Sequence, residues 1–186
     1  MLDFSSWPRI IIELGMGDGR LLESLARRDG NSLYVGIELD SDQCRQAQSR
    51  IALGNVAILN GSIEDIVPTF PDGSVDRFIA VLPDPAFIDE KKQVRWEPFY
   101  KMVYSKLKKN GTLELVTEIT DKLLQPVSDE QYGKWAGWLR ASFLSTGFAL
   151  KSQREGAPAQ YSSRCLDQFR GDSERIRIAT LELAKQ

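Results

Sequence analysis

Short apolar runs alternate along this chain with segments of helical spacing. Five runs rich in branched and aromatic residues predict strands: RIIIEL (9–14), SLYVGIEL (32–39), VAILNG (56–61), VDRFIAVLP (75–83) and TLELVTE (112–118). Four segments with apolar positions three and four apart predict helices: GRLLESLARR (19–28), SDQCRQAQSRIAL (41–53), WEPFYKMVYSKLKK (96–109) and DEQYGKWAGWLRASFLSTG (129–147). This alternation is typical of βαβ units, so we expect a mostly parallel sheet with helices on both faces.

The last part of the chain has a different pattern. GFALKSQ (147–153) and RIRIATLEL (175–183) predict two more strands, and we predict no helix in the polar stretch between them. A final antiparallel strand that closes the sheet fits this pattern. Because the chain shows no internal repeat and no linker-like segment, we expect a single domain over residues 1–186.

Composition narrows the protein class. The chain has 186 residues, of which 42% are hydrophobic and 27% charged, as in ordinary globular domains. No apolar run is long enough for a membrane span, and from the few residues before the first strand we expect no signal peptide. The two cysteines, Cys44 and Cys165, suggest neither a disulfide framework nor a metal site. We therefore expect a cytoplasmic protein without a bound metal.

The chain contains no histidine. This absence excludes Ser-His-Asp and Cys-His catalysis, zinc bound by histidine, and a histidine general base. Reactivity must come from another source, and a cofactor is the simplest one.

Charge is unevenly distributed along the chain. The net charge is −2, yet the segment 91–109 carries seven basic residues against one acid: Lys91, Lys92, Arg95, Lys101, Lys106, Lys108, Lys109 and Glu97. A basic strip on an otherwise acidic body can attract a polyanion, although a solvated helix face explains the same composition.

A glycine-rich turn follows the first predicted strand. Gly15, Gly17 and Gly19 alternate with Met16 and Asp18, so the backbone can turn sharply and a ligand can approach it closely. In open α/β sheets, ligands bind outside the carboxyl ends of the strands, which is where this turn lies. The dinucleotide fingerprint G-x-G-x-x-G does not fit, because Arg20 stands where the third glycine belongs.

Polar residues also end the next three strands. Glu38 lies 19 residues after Gly19 and can accept hydrogen bonds from both ribose hydroxyls. The turn Asn60–Ile63 after the third strand can frame an adenine, and the fourth strand ends in Leu-Pro-Asp-Pro at 82–85. Together, these four strand ends predict a binding site for a nucleoside-containing ligand.

Three features resemble those of the class I S-adenosylmethionine-dependent methyltransferases. They are the pattern E-x-G-x-G-x-G, an acid after strand two, and Asn-Gly after strand three. Within that superfamily, FPDGSVDR (70–77), VLPDP (81–85) and LVTE (115–118) look like the tRNA (guanine-N7)-methyltransferase family. The resemblance covers about Ile10 to Glu118. It implies a Rossmann-like, mostly parallel seven-stranded sheet and an enzyme that transfers a methyl group from S-adenosylmethionine to N7 of a guanine in tRNA.

The resemblance also implies site residues. The cofactor contacts would be Glu13, Gly15, Gly17, Gly19, Glu38, Asn60, Gly61, Ser62 and Ile63. Asp84 would be the central catalytic and substrate residue, binding the N1–H and N2–H₂ edge of guanine. The other substrate contacts would be Lys91, Lys92, Arg95, Thr117, Glu118 and Asp121, the lysines and arginine gripping phosphates. Phe87 or Trp96 would stack on the base.

Departures from the family pattern lie on the substrate side. Ala86 stands where the family usually has tryptophan after PDP, and Glu118 follows Thr117 where the family has aspartate. A different acceptor, either another RNA or a small molecule, therefore remains an alternative. A nicotinamide-dependent oxidoreductase fits less well, because Arg20 stands where its loop needs a third glycine. A non-catalytic RNA-binding scaffold also fits less well, because it would have no need of an acid such as Glu38 that binds a ribose. The sequence leaves open which guanine is modified, the need for a partner subunit, and whether the chain is a monomer or a homodimer.

Overall fold

The computed structural model describes residues 4–121, 123 and 125–186. These residues contain seven strands: β1 (Arg9–Leu14), β2 (Ser32–Glu38), β3 (Val56–Asn60), β4 (Val75–Val81), β5 (Leu107–Thr120), β6 (Ala149–Glu155) and β7 (Ile176–Ala184). They form one sheet in the order β3-β2-β1-β4-β5-β7-β6.

Six α-helices connect the strands of the described chain: α1 (Arg20–Arg28), α2 (Ser41–Arg50), α3 (Ile63–Ile66), α4 (Gln93–Lys106), α5 (Asp129–Ser145) and α6 (Arg164–Arg170). Short 3-10 turns lie at Val67–Thr69, Pro85–Phe87 and Glu90–Lys92. Within the described residues, no helix has the length and apolar character needed to span a bilayer.

The sheet is parallel from β3 to β5. Glu13 in β1 lies beside Gly36 of β2 on one side and beside Ile79 of β4 on the other, so the two halves of the sheet diverge from β1. β7 runs antiparallel between β5 and β6. The predicted mostly parallel, seven-stranded sheet with an antiparallel C-terminal strand is confirmed.

Two apolar cores cover the two faces of the sheet. On one face, Ile12 of β1 shares a core with Trp96 and Tyr100 of α4 and with Phe143 of α5. On the other face, a second core joins β1 to α1, α2 and α6 and includes Ile11, Leu22, Ala47 and Leu166. Alternate residues of a strand point to opposite faces, so the two cores divide the strand residues by parity.

The predicted absence of a helix between β6 and β7 is wrong. Ser163 caps α6, because its hydroxyl accepts a hydrogen bond from the Leu166 amide at 3.2 Å. Leu166 is the one residue of this seven-residue helix that is fully buried, so no apolar period was visible in the sequence.

Two helix ends also differ from the prediction. α4 ends at Lys106 rather than Lys109, since Leu107 already pairs with Val75 of β4. α2 ends at Arg50, three residues early, and the amide of its C-cap residue, Ile51, donates to Ala47 O. The tertiary pairing of strands decided the first of these boundaries.

Candidate functional site

The carboxyl ends of the parallel strands meet around a cavity of about 470 Å³. Six of the predicted site residues line it: Gly15, Glu38, Gly61, Ser62, Ile63 and Asp84. They come from four separate strand ends, as expected of a ligand site in an open α/β sheet. The volume is within the range of small-molecule and cofactor sites.

The turn after β1 depends on its three glycines. Gly15, Gly17 and Gly19 have φ values of 72°, 54° and 70°, a left-handed conformation that favours glycine. A Cβ atom on Gly15 would have no neighbour within 4 Å, so the backbone there is open to a ligand. Gly19 is different, because a Cβ atom would approach Ile51 Cδ1 at 3.2 Å, so this glycine allows α1 to pack against α2.

Glu38 holds the turn in place. Its Oε2 accepts a hydrogen bond from the Gly17 amide at 2.8 Å, and its Oε1 accepts one from the Asp40 amide at 2.9 Å. Each carboxylate oxygen keeps a lone pair for another donor. Glu38 therefore links the ends of β1 and β2 and still offers acceptors to the cavity.

The turn after β3 combines a wall residue with a structural one. Ser62 lines the cavity and caps α3, since its Oγ accepts the Glu64 amide at 3.1 Å. Asn60 does not line the cavity. Its Nδ2 donates to Glu38 O and Leu39 O, and its Oδ1 accepts from Ser41, so its side chain fixes the end of β2.

Glu13 is the last but one residue of β1, just before Leu14 and Gly15, and is not itself among the residues that line the cavity. It is 3% exposed, and its Oε2 is buried without a hydrogen-bond partner among the described residues. Burial raises the pKa of Glu13 well above its ordinary value, and the neighbouring carboxylates Asp18 and Glu38 raise it further. A buried carboxyl with a free oxygen is costly unless a ligand donates to it.

The segment after β4 carries a strained residue. Leu82 has a φ of 51°, a conformation that costs a leucine about 1–2 kcal/mol. Its amide still donates to Val116 O at 2.7 Å, so the strand remains paired while the chain turns. Leu82 also lines the cavity, and the sequence analysis did not assign it to the site.

The turn at Leu82 brings Asp84 to the cavity. Asp84 is exposed, and its Oδ1 accepts the Ala86 amide at 2.7 Å, which caps the following 3-10 turn. Its Oδ2 has no hydrogen bond within the described residues, so one carboxylate oxygen is available at the mouth of the site.

Thr117 and Glu118 point to opposite faces of β5. Thr117 faces the same side of the sheet as Leu113 and Leu115, which belong to the core under α4 and α5, and this is also the side of the cavity. Its hydroxyl is buried without a partner in the described chain. Glu118 has the parity of the α6 side, where burial raises its pKa. Asp121 lies beyond the end of β5, where its Oδ1 accepts the Leu123 amide. The structure therefore places only Thr117 on the cavity side.

Six of the seven basic residues of the strip fall into two groups, and the seventh, Lys109, is exposed and lines a crevice at the opposite edge of the sheet. Lys101, Lys106 and Lys108 form ion pairs with Glu97, Asp72 and Asp76. Lys91, Lys92 and Arg95 are exposed and form no ion pair with any described residue. These three residues follow the Asp84 turn and lie nearest to the cavity along the chain.

Aromatic residues of α4 complete the cavity. Phe99 and Tyr100 line it, and neither residue was among the predicted site residues. Phe87 also lines it and meets the Phe99 ring edge-on at 5.2 Å. Trp96 is 1% exposed and donates its indole N–H to Asp89 O, so it cannot stack on a base and Phe87 is the remaining candidate.

The crevice that Lys109 lines lies at the opposite edge of the sheet, near the amino ends of the parallel strands. It has a volume of about 480 Å³ and contains the ion pairs of Arg77 with Glu114 and of Lys151 with Glu182. None of the predicted cofactor residues lines it, and it lacks the glycine turn. The carboxyl edge is therefore the better functional site.

Comparison with known proteins identifies the family of this chain. Residues 8–134, more than half of the chain, match the family profile Methyltransf_4, "Putative methyltransferase". A "tRNA (guanine-N(7)-)-methyltransferase" of Campylobacter fetus is 32% identical over 117 residues, which make up 61% of this chain and 30% of that protein. Its counterpart in Yersinia enterocolitica is 27% identical over 115 residues, or 59% of this chain and 48% of that protein. The matched stretch thus spans less than half of either relative.

The fold also has solved counterparts. The structure of the 16S rRNA methyltransferase KamB superimposes with a TM-score of 0.76 at 14% identity, covering 98% of this chain and 90% of that one. At this level of identity the likeness establishes the fold alone. The profile match, by contrast, includes the glycine turn, Glu38 and Asp84. The chain therefore belongs to the methyltransferase family Methyltransf_4.

Proposed function

We propose that this protein is an S-adenosylmethionine-dependent methyltransferase that methylates N7 of a guanine in tRNA. The observation that carries the cofactor assignment is the combination of an open glycine turn with two acids. Gly15 leaves space beside the backbone, Glu38 offers acceptors at the end of β2, and the buried Oε2 of Glu13 lacks a donor among the described residues.

These residues fit the parts of S-adenosylmethionine. Glu38 would accept the ribose hydroxyls, and the turn at Gly61, Ser62 and Ile63 would frame the adenine. The amino group of the methionine part would supply the donor that Glu13 lacks. Gly17, Gly19 and Asn60 would act indirectly, by shaping the turn and the end of β2.

The bound sulfonium supplies an activated methyl group, so the protein needs mainly to orient the acceptor. N7 of guanine has a lone pair and no proton to remove, which suits a chain without histidine. The Oδ2 of Asp84 would bind the N1–H and N2–H₂ edge and offset the positive charge that develops on the ring. Thr117 would donate or accept at the same pocket, and Phe87 would stack on the base.

The choice of tRNA has two supports. The matched relatives carry tRNA guanine-N7 methyltransferase names, and the exposed cations Lys91, Lys92 and Arg95 lie next to the Asp84 turn. Contacts of this kind to phosphates position RNA without reading its sequence. We further propose that Asp121 contacts the RNA beyond the cavity, and that the chain acts as one domain in the cytoplasm. Glu118 lies on the α6 side of β5 and takes no part in this contact.

The decisive experiment is methyl transfer from radiolabelled S-adenosylmethionine to unmodified tRNA, followed by aniline cleavage to map N7-methylguanine. We expect label at a guanine. If tRNA gains no label while the protein still binds S-adenosylhomocysteine in calorimetry, the tRNA assignment is overturned in favour of another acceptor. Loss of both would overturn the methyltransferase proposal itself.

Asp84→Ala tests the acceptor side. We expect turnover to fall by at least about 100-fold, since a charged contact made in the transition state is lost, while affinity for S-adenosylhomocysteine stays within about twofold. Asp65→Ala, which removes an exposed acid of α3 outside the cavity lining, serves as the control. Equal losses of turnover and of cofactor affinity in Asp84→Ala would contradict its assigned role.

A further inference from the structure

A second cleft, with a volume of about 500 Å³, lies at the same edge of the sheet as the proposed cofactor site. Its walls are the end of β5, from Ile119 to Asp121, and one side of α5, including Lys134, Trp135 and Trp138. The two cavities share no lining residue. No residue of α5 lines the proposed cofactor site.

One short segment separates the two cavities. Asp84 and Phe87, at its beginning, line the proposed cofactor site, whereas Glu90, a few residues later, lines the second cleft. An RNA strand that places one base at Asp84 therefore passes this segment to reach the second cleft. The cleft is in the right place for a neighbouring nucleotide.

The two tryptophans of the cleft differ in how they are held. Trp138 is fixed, because its indole N–H donates to Gln93 Oε1 at 3.1 Å and its ring meets Trp96 edge-on at 6.2 Å. Trp135 is half-buried, its ring leans against Tyr132 at 5.8 Å, and its indole N–H has no hydrogen bond within the described residues. Trp135 thus packs partly against the apolar core and leaves the rest of its ring exposed in the cleft.

Two acids, Glu90 and Asp121, and one cation, Lys134, line the cleft, and three further cations lie close to it in the chain. Lys91 and Lys92 directly follow Glu90, and Arg95 lies one turn further, all exposed and without a carboxylate partner in the described part of the chain. Among the described residues Lys134 forms an ion pair with Glu130 alone, across one turn of α5, and both side chains are 76% exposed. Such a pair contributes little stability, so Lys134 can turn to a phosphate at small cost.

From these observations we propose that the cleft between α5 and the end of β5 binds an unstacked nucleotide of single-stranded RNA, with its base on Trp135 and its phosphates on Lys134, Lys91 and Lys92. Aromatic stacking beside a basic groove is the usual way in which proteins hold unpaired bases. The inference rests on the proposed RNA substrate, and it adds a second nucleotide subsite to it.

The test measures RNA binding without methyl transfer. A fluorescein-labelled single-stranded RNA octanucleotide is titrated with the protein in the absence of cofactor, and anisotropy gives Kd. We expect Trp135→Ala to weaken binding by about 5- to 150-fold, the usual effect of losing one stacked base, and Trp135→Phe to recover most of the loss. Binding of S-adenosylhomocysteine should be unchanged in both variants.

A matched pair of charge reversals provides the control. Lys134→Glu places a carboxylate in the cleft and should weaken RNA binding at least about fivefold. Arg140→Glu makes the same change on an exposed residue of α5 outside the cleft and should leave Kd within about twofold. Equal effects of the two reversals would overturn the subsite, as would unchanged binding in Trp135→Ala or no binding by the wild-type chain.

Photocrosslinking removes any dependence on how well the variants fold. Wild-type protein irradiated with 5-iodouridine RNA should give crosslinks in the peptide that contains Trp135, and crosslinks confined to other elements would refute the subsite. The outcome is separable from that of the tRNA proposal. If tRNA is not methylated but RNA binding still depends on Trp135, the subsite proposal stands and the tRNA proposal fails. If tRNA is methylated but RNA binding does not depend on Trp135, only the subsite proposal fails.

Discussion

At the scale of single residues, the site depends on polar groups that the fold leaves without protein partners. Glu13 Oε2 and the Thr117 hydroxyl are both buried and unpartnered among the described residues. Most buried polar atoms in proteins are hydrogen-bonded, so these exceptions indicate atoms whose partner is supplied by a bound ligand. Glu38 is the opposite case, since both of its oxygens already accept backbone amides.

The first prediction concerns Glu38. Replacement by alanine should weaken S-adenosylhomocysteine binding by about 10- to 150-fold, because two roles are lost together: the ribose acceptor and the acceptor that holds the Gly17 amide. Isothermal titration calorimetry measures the change. Asp42→Ala, which removes an exposed acid of α2, should bind normally. Wild-type affinity in Glu38→Ala would refute the assignment of the ribose site.

The second prediction concerns pH and Glu13. Its pKa in the folded protein is raised above the ordinary value of 4.5, so the carboxyl stabilises the fold only while it is protonated. As pH rises from 4.5 toward the folded pKa, the wild-type protein should lose stability relative to Glu13→Gln by up to about 1.4 kcal/mol per pH unit. Above the folded pKa the difference should level off.

Urea unfolding of the ligand-free proteins at several pH values measures this difference. Other carboxylates, such as Glu23, have lowered pKa values and change stability in the opposite direction, so only the comparison between the two proteins is informative. Glu130→Gln, at an exposed position, provides the control for the loss of one carboxylate. A difference between wild type and Glu13→Gln that does not vary with pH would contradict the raised pKa.

At the scale of secondary-structure elements, close packing of β2 against the glycine turn sets the position of the site. Met16 is 3% exposed, and its amide donates to Ile37 O at 2.9 Å. A Cβ atom on Gly36 would lie 2.3 Å from Met16 Sδ and 2.8 Å from Leu22 Cδ2. The glycine in β2 therefore admits the side chains that anchor the turn and α1.

The third prediction follows from this contact. Gly36→Ala should destabilise the protein by about 1–3 kcal/mol through overpacking, and should also weaken S-adenosylhomocysteine binding because Met16 must move. Gly133→Ala, in α5, meets no atom within 4 Å and should stabilise by about 0.5–1 kcal/mol. Thermal unfolding and calorimetry distinguish the two. A stable Gly36→Ala protein with normal affinity would show that the contact is easily relieved.

The segment between β6 and β7 is held by side chains that the sequence pattern did not reveal. Arg77 of β4 forms an ion pair with Glu114 and donates to the Tyr161 hydroxyl at 2.9 Å. Arg170 of α6 donates to the Tyr161 and Pro158 carbonyl oxygens. The contact of Arg77 with Tyr161 joins residues 84 positions apart, and Arg170 ties α6 to the loop that carries Tyr161. The position of α6 therefore depends on tertiary partners as well as on its own sequence.

At the scale of the whole molecule, the structure separates charges that the sequence groups together. Of the seven basic residues in the segment 91–109, three are ion-paired and lie in α4 or at the start of β5. The three nearest to the proposed site are exposed and unpaired within the described chain. The net charge of −2 therefore hides a local positive surface at the carboxyl edge of the sheet.

The fourth prediction uses the salt dependence of tRNA binding. Each phosphate neutralised contributes about −0.7 to −0.9 to the slope of log K against log salt concentration. Replacing Lys91, Lys92 and Arg95 together by alanine should reduce the slope by about 2 to 3. The matched triple variant at Lys101, Lys106 and Lys108 should change it little, because those lysines are ion-paired. Equal reductions would mean that the whole strip contacts RNA.

The sequence by itself determined the strands, the order of βαβ units and the glycine turn with Glu38. These are local properties: the side-chain period of a strand or helix and the backbone freedom of Gly15, Gly17 and Gly19 are visible without a fold. It also located Asp84, through a motif that follows one strand.

Only the tertiary structure decided the rest. It formed α6, placed Thr117 and Glu118 on opposite faces, buried Trp96, and brought Leu82, Phe99 and Tyr100 to the cavity. It also set Trp135 beside the end of β5. Each of these outcomes depends on contacts between residues distant in the chain, whose free energy is gained only when the sheet and both helical layers assemble.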